Sequence, residues 1–104
     1  METMNKLEEI REKILPVLLP WGVERVALFG SFVKEEETPE SDIDILVKLK
    51  PPSERPSLGL KWISLEQELS RILDREVDLV SESGLSPYIR PHVEENMVVL
   101  YEEG

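Results

Sequence analysis

The chain has 104 residues, of which 22 are acidic and 12 are basic, and its formal net charge is −10. A chain of this length is expected to form one domain, residues 1–104, with a modest hydrophobic core. The absence of cysteine excludes disulfides, zinc–thiolate sites and thiol catalysis, and no apolar run approaches the roughly 20 residues that span a bilayer.

The net charge and the N-terminal sequence bear on which partners the protein binds and on the cellular compartment in which it is expected. Nucleic-acid binders usually carry a basic stripe, and none is present, so tight direct binding to DNA or RNA is not expected. Residues 1–6 lack the basic-then-apolar layout of a signal peptide, which predicts a cytoplasmic protein. An acidic surface suits a basic protein partner, or it only maintains solubility.

The first half of the chain alternates between helical and strand patterns. A first helix is predicted, closed by Pro20 and Gly22. Its apolar stripe comprises Met4, Leu7, Ile10, Ile14 and Val17. A strand follows over residues 23–29, then a turn or two of helix over 32–37, then a second strand from about residue 42 to 49.

The second half continues the alternation after a turn-rich loop at residues 51–57. Ser57 is a plausible N-cap for a second amphipathic helix. The apolar stripe of that helix comprises Leu58, Trp62, Leu65, Leu69 and Ile72. A short strand over 75–80 and a helical segment over 86–96 precede a final apolar segment, 97–101, which is either a strand or an extended tail. Together these elements predict a small sheet covered by helices.

Two aspartates within an apolar strand form the most informative stretch of the sequence. Asp42 and Asp44 alternate with Ile43, Ile45 and Val47, so the carboxylates share one face of the strand and the apolar side chains share the other. The two carboxylates stand about 6.6 Å apart along the strand, and such a pair needs a cation between its members or water around them. A functional site and a surface-facing strand with solvated carboxylates are both compatible with the pair alone.

A glycine–serine pair precedes the two aspartates in the chain, and a third carboxylate follows them. Gly30 and Ser31 follow a strand and precede a predicted helix, a position that favours phosphate, although most such pairs are ordinary turns. Asp78 alternates with Val77 and Leu79 and points away from their face. If its strand neighbours the Asp-bearing strand, three carboxylates converge. Such a group suits Mg²⁺, and a pair of these ions can clamp the attacking and leaving oxygens of a phosphoryl or nucleotidyl transfer.

Three motifs taken together carry a resemblance to a known family. They are Gly30-Ser31, Ser41-Asp42-Ile43-Asp44 and Val77-Asp78-Leu79-Val80. In this combination the chain resembles the minimal nucleotidyltransferases of the DNA polymerase β-like superfamily, whose pattern is Gly-Ser, a short spacer, Asp-x-Asp and a later single Asp. The resemblance covers nearly the whole chain and implies an α/β (α+β) fold, with a small mixed β-sheet flanked by helices.

The resemblance also implies roles for the matching positions. Gly30 and Ser31 would hold the triphosphate, and Asp42 and Asp44 would bind two magnesium ions. Asp78 would hold the catalytic ion and help to deprotonate the attacking hydroxyl. The implied reaction moves AMP from ATP to an acceptor hydroxyl.

One position group departs from the family pattern. The family often carries a small residue and then Arg-Gly shortly after Gly-Ser, where this chain has Val33, Lys34 and Glu35. Lys34 keeps the positive charge and is the third nucleotide-binding candidate, but it lacks the bidentate fork of arginine. The glutamates at 35–37 place negative charge near the expected triphosphate.

The family resemblance implies a partner protein as well. The frequent partner is a small helical HEPN-domain protein, often a ribonuclease toxin, and the nucleotidyltransferase is its antitoxin, acting by contact or by adding AMP to a tyrosine. The alternative is a non-catalytic binding module, which the departure at 33–35 favours and the three aspartates disfavour. A transferase for a small molecule such as an aminoglycoside is a third, weaker reading. Both homo- and hetero-oligomers remain open.

Overall fold

The computed structural model describes residues 6–29, 43–54 and 57–103. These ranges contain the helices α1 (Lys6–Leu18), α2 (Lys61–Leu73) and α3 (Arg90–Asn96). They also contain the strands β1 (Val23–Phe29), β2 (Ile43–Leu49), β3 (Val77–Ser81) and β4 (Val98–Glu102). Short 3₁₀ turns cover Leu19–Trp21, Pro52–Glu54 and Glu82–Gly84. None of the helices in these ranges is long and apolar enough to cross a membrane.

The four strands form one mixed sheet in the order β3-β2-β1-β4. Strand β1 runs antiparallel to both β2 and β4, whereas β2 and β3 are parallel. A parallel pair cannot be joined by a tight turn and needs a crossover connection, which α2 supplies here. The mixed sheet flanked by helices that the family resemblance implied is therefore confirmed.

The larger hydrophobic core lies between one face of the sheet and helices α1 and α2. Ile43, Ile45 and Val47 point into this core from β2, and each is at most 2% exposed, as their alternation predicted. The helices contribute buried positions of their predicted stripes, namely Ile10, Ile14, Leu65 and Leu69. This packing leaves the opposite face of β2 for Asp44.

The opposite face of the sheet is partly covered by α3. Val93 of α3 forms a buried cluster with Ala27 of β1 and Leu46 of β2. Leu46 lies on the same face as Asp44, two residues further along the strand. The Asp-bearing face is therefore not open to water along its whole length, because its carboxylate end borders an apolar cluster.

The helix ends agree with the sequence at one site and differ at another. The first helix ends as predicted near Pro20, and Gly22 adopts the left-handed conformation (φ 81°), which glycine tolerates best. The prediction that Ser57 caps the second helix is wrong, because α2 begins at Lys61 and no side chain caps it. Instead the backbone turns tightly ahead of the helix, with the Lys61 N–H donating to the Leu58 carbonyl oxygen at 2.6 Å.

Three other predicted boundaries can be compared with the structure. Strand β3 begins at Val77 rather than at residue 75, and the helix predicted over 86–96 forms only from Arg90. A proline at the start of α3 explains the late beginning, since proline suits the first turn of a helix but not its interior. The final segment is a strand, β4, which pairs with β1. The short helix predicted over 32–37 lies outside the described residues.

A buried carboxylate ties the far end of the sheet to α3. Glu82 is 6% exposed and accepts a hydrogen bond of 2.7 Å from the Arg25 Nε of β1. Arg90, the first residue of α3, donates to the Glu82 carbonyl oxygen at 2.7 Å, and its Nη1 lies 3.7 Å from the Glu82 carboxylate. The ion-paired group therefore joins β1, the turn after β3 and the start of α3.

Replacing this buried carboxylate is expected to destabilise the fold. In Glu82→Ala, Arg25 and Arg90 lose their shared partner, which should lower the free energy of unfolding by about 2–3 kcal/mol. Urea denaturation would measure the change. Glu68→Ala is the control, since Glu68 pairs only at the exposed surface with Arg71 and little change is expected there. Equal losses in the two variants would contradict the structural importance of Glu82.

Candidate active site

Two of the three predicted carboxylates stand side by side in the sheet. The parallel register of β2 and β3 pairs Asp44 with Asp78. Partners in register share a face, and neighbouring strands lie about 4.8 Å apart, so both carboxylates project from adjacent positions on the α3 face. Asp44 is half-buried, and Asp78 is exposed. The predicted convergence of the Asp44 and Asp78 strands is therefore observed.

The end of β1 adjoins the same carboxylates. Phe29, the last residue of β1, pairs with Asp44 across the antiparallel ladder. The chain therefore leaves β1 beside the aspartates, and Gly30 and Ser31 are the next two residues in the sequence. Gly30, Ser31, Asp42 and Lys34 themselves lie outside the described residues.

The surroundings of the carboxylates combine apolar contacts with access to solvent. Phe29 lies opposite Asp44 in the pairing of β1 with β2, and Val80 lies on the same face of β3 as Asp78. Both pack against the buried cluster under α3. Like charges directly opposite one another in a sheet destabilise it, and the apolar neighbours reduce the screening that water provides. A cation close to the two carboxylates would lower this repulsion.

The donor set fits a hard divalent cation. Magnesium takes oxygen ligands and is typically bound by one or two carboxylates together with substrate phosphates and water. Asp44 and Asp78 supply two such carboxylates on rigid, hydrogen-bonded strands. In the ranges that the structure describes, no group of three or more His, Cys, Asp or Glu side chains could hold a metal ion. Asp42, the third candidate ligand, is not in those ranges.

A second polar region at the other end of the sheet is a network of internal ion pairs. A cleft of about 580 Å³ there is lined by residues that include Arg25, Lys48, Lys50 and Arg90. Within this cleft Lys48 Nζ lies 3.4 Å from Glu24, and Lys50 Nζ lies 3.2 Å from Glu103. Of the predicted site residues that the structure describes, neither Asp44 nor Asp78 lines this cleft.

Sequence reasoning missed two polar residues of α2 that contact the strand carrying Asp78. Glu66 and Ser70 accept hydrogen bonds from backbone N–H groups of β3. They stand four residues apart, each next to a buried leucine of the helix stripe, and this adjacency was the only available signal. On an amphipathic helix such positions usually face water.

Comparisons with known proteins agree with this geometry. Residues 4–100 match a protein family described as "Nucleotidyltransferase domain". A Methanocaldococcus jannaschii protein, provisionally named a protein adenylyltransferase, is 38% identical over 87 residues, which cover 84% of this chain and 89% of that protein. The protein adenylyltransferase MntA of Thermococcus cleftensis is 42% identical over 78 residues, or 75% of this chain and 68% of that protein.

Solved structures share the fold. A crystal structure of a toxin–antitoxin with AMP-PNP aligns with a TM-score of 0.74 and 28% identity, covering 88% of this chain and 73% of the solved chain. A chain from a complex of tri-AMPylated Shewanella oneidensis HEPN toxin with MNT antitoxin aligns with a TM-score of 0.69 and 26% identity. The alignment covers 92% of this chain and 72% of the solved chain. Both structures therefore have the mixed, helix-flanked sheet seen here.

The fold and the paired carboxylates thus define a small α/β protein of the nucleotidyl-transfer class. The match over residues 4–100 is more specific: the chain belongs to the nucleotidyltransferase domain family.

Removing one carboxylate is expected to separate metal binding from stability. Asp78→Asn should raise the melting temperature of the metal-free protein slightly, because a like-charge pair is removed, and should abolish the further rise caused by Mg²⁺. Thermal unfolding with and without Mg²⁺ would measure both effects. Asp74→Asn is the control, because Asp74 is exposed, lies at the end of α2 in a left-handed conformation that asparagine tolerates, and is not in the pair. A wild-type melting temperature unaffected by Mg²⁺ would contradict the metal site.

Proposed function

We propose that this chain is a magnesium-dependent protein adenylyltransferase, which moves AMP from ATP to a hydroxyl of a HEPN-type partner and so acts as its antitoxin. The observation that carries the proposal is the in-register pairing of Asp44 with Asp78, in a chain of the nucleotidyltransferase domain family. The names of its relatives and the solved antitoxin complexes that share its fold support the choice of reaction and partner.

The aspartates would hold the magnesium ions. Asp42 and Asp44 would bind both ions, and Asp78 would bind the catalytic one from β3, the strand next to that of Asp44. Bound magnesium neutralises charge that develops on the phosphoryl oxygens and lowers the pKa of a hydroxyl at the metal. Asp78 is exposed, so an acceptor hydroxyl can approach it and pass its proton to the carboxylate.

The residues that follow β1 would hold the triphosphate. Backbone amides at Gly30 and Ser31, together with the Ser31 hydroxyl, are suitable donors for phosphate oxygens. Lys34 would add one positive charge. The acceptor oxygen then attacks the α-phosphorus, a new P–O bond forms to AMP, the α–β anhydride bond breaks, and pyrophosphate leaves.

A non-catalytic binding module is the second candidate function. The sequence Val33-Lys34-Glu35 replaces the family's small residue and Arg-Gly, and Lys34 cannot form the bidentate contact that arginine makes with phosphate. Glutamates at 35–37 would oppose a bound triphosphate. In this case the chain would neutralise its partner by contact alone.

A transfer assay with the co-purified partner distinguishes the two functions. With Mg²⁺ and α-labelled ATP, the partner should gain label, whereas γ-labelled ATP should leave it unlabelled because the β- and γ-phosphates depart as pyrophosphate. The double variant Asp42→Asn/Asp44→Asn should lower the rate by at least about a hundredfold, since it removes two metal ligands. Asp74→Asn should transfer at the wild-type rate.

The opposite outcome is equally specific. Adenylyl transfer is excluded if the wild type transfers no label and does not bind ATP, while the wild type and the double variant bind and neutralise the partner equally well. The binding module would then be the function.

A further inference from the structure

Strand β3, which carries Asp78, lies at an edge of the sheet, with β2 as its strand neighbour. The Ile43 N–H of β2 donates to the Glu76 carbonyl oxygen at 2.9 Å. Backbone groups of successive residues alternate in direction, so the N–H groups of residues 78 and 80 point towards β2, and those of Val77 and Leu79 point outward.

Both outward N–H groups are held by side chains of α2. The Val77 N–H donates to Ser70 Oγ at 3.0 Å, and the Leu79 N–H donates to Glu66 Oε2 at 2.9 Å. Asp78 lies between these two hydrogen bonds. The backbone is therefore held by a side chain of α2 on each side of Asp78, at Val77 and at Leu79.

The two contacts are strong enough to influence the strand. Val77 and Leu79 are each 5% exposed, so loss of an acceptor would leave a nearly buried N–H without a partner. The bond to Glu66 is also charge-assisted, which makes it stronger than a bond between neutral groups. The two bonds add to the pairing of the five-residue strand with β2 and to the burial of Val77 and Leu79.

We infer that Glu66 and Ser70 are positioning residues, which hold β3 in the register that places Asp78 opposite Asp44. This inference rests on the proposed function, since it assigns the two residues to the same metal site. A slip of β3 by one residue would turn Asp78 towards the core, and smaller displacements would separate the two carboxylates. Both residues would act through the backbone of β3, to which they are hydrogen-bonded.

The same hydrogen bonds also cover the edge of the sheet, which is a purely structural role. The two roles differ in one measurable respect. Positioning requires that loss of the acceptor weaken metal binding in a protein that remains folded, whereas edge protection alone leaves metal affinity unchanged.

Metal titration of four single variants tests the positioning role. Manganese is the probe, because its bound and free forms are separated by electron paramagnetic resonance. Glu66→Met keeps the side-chain length but removes the acceptor and should weaken Mn²⁺ binding by about tenfold, as outer contacts of metal ligands typically do. Glu66→Gln keeps an acceptor oxygen and should stay within about twofold of the wild type. Ser70→Ala should weaken binding by roughly threefold, since it removes the weaker clamp.

The matched control is Glu68→Met, on the same helix. Glu68 bonds to Arg71 at the surface and does not reach β3 in the described contacts, so Mn²⁺ affinity should not change. Urea denaturation of each variant identifies those that remain folded. If Glu66→Met does not fold, Ser70→Ala against Glu68→Met decides the question.

The outcomes separate this inference from the proposed function. In one outcome, the wild type binds Mn²⁺, Asp78→Asn abolishes this binding, and folded Glu66→Met and Ser70→Ala retain it in full. This result would overturn the positioning role and leave the metal site intact. Wild-type protein that binds no Mn²⁺ would overturn both the metal site and the positioning role. Graded losses in Glu66→Met and Ser70→Ala, with rescue in Glu66→Gln, would establish it.

Discussion

The parallel pairing of β2 with β3 is the constraint on which the rest of the structure depends. Because parallel strands need a crossover, α2 must pass over the sheet, and its leucines then close the larger core. The same crossing brings the polar side of α2 against the edge of β3. The in-register pair Asp44 and Asp78, the covered face and the protected edge thus follow from one connection.

The two faces of β2 have different surroundings, because successive side chains of a strand point to opposite sides of the sheet. Ile43 and Ile45 point into the dry core, where burial stabilises the strand without any polar requirement. The other face carries Asp44 at one end and Leu46 under α3 in the middle. Near the other end of the sheet, the Glu82 carboxylate is paired with Arg25 and Arg90.

The sequence was sufficient where short-range patterns decide the structure. The bounds of β1 follow from an apolar run that stops before Gly30 in the sequence, and the faces of β2 follow from local alternation. The opposed carboxylates follow once β2 and β3 are neighbours. It was insufficient where distant groups compete. A backbone turn, rather than Ser57, precedes the second helix. Glu82 is hydrogen-bonded to Arg25, which is 57 positions away in the sequence. Glu66 resembled a solvated residue because its partner is a backbone amide, which no side-chain pattern records.

The crossover also bears on the order in which the chain folds. Ile43 and its partner Val77 are more than thirty positions apart in the chain, so the entropy of closing this loop must be met before their contacts contribute. Helix α2, with its local hydrogen bonds, can form earlier. The carboxylate pair is therefore expected to assemble after α2, because it exists only once β2 and β3 have paired.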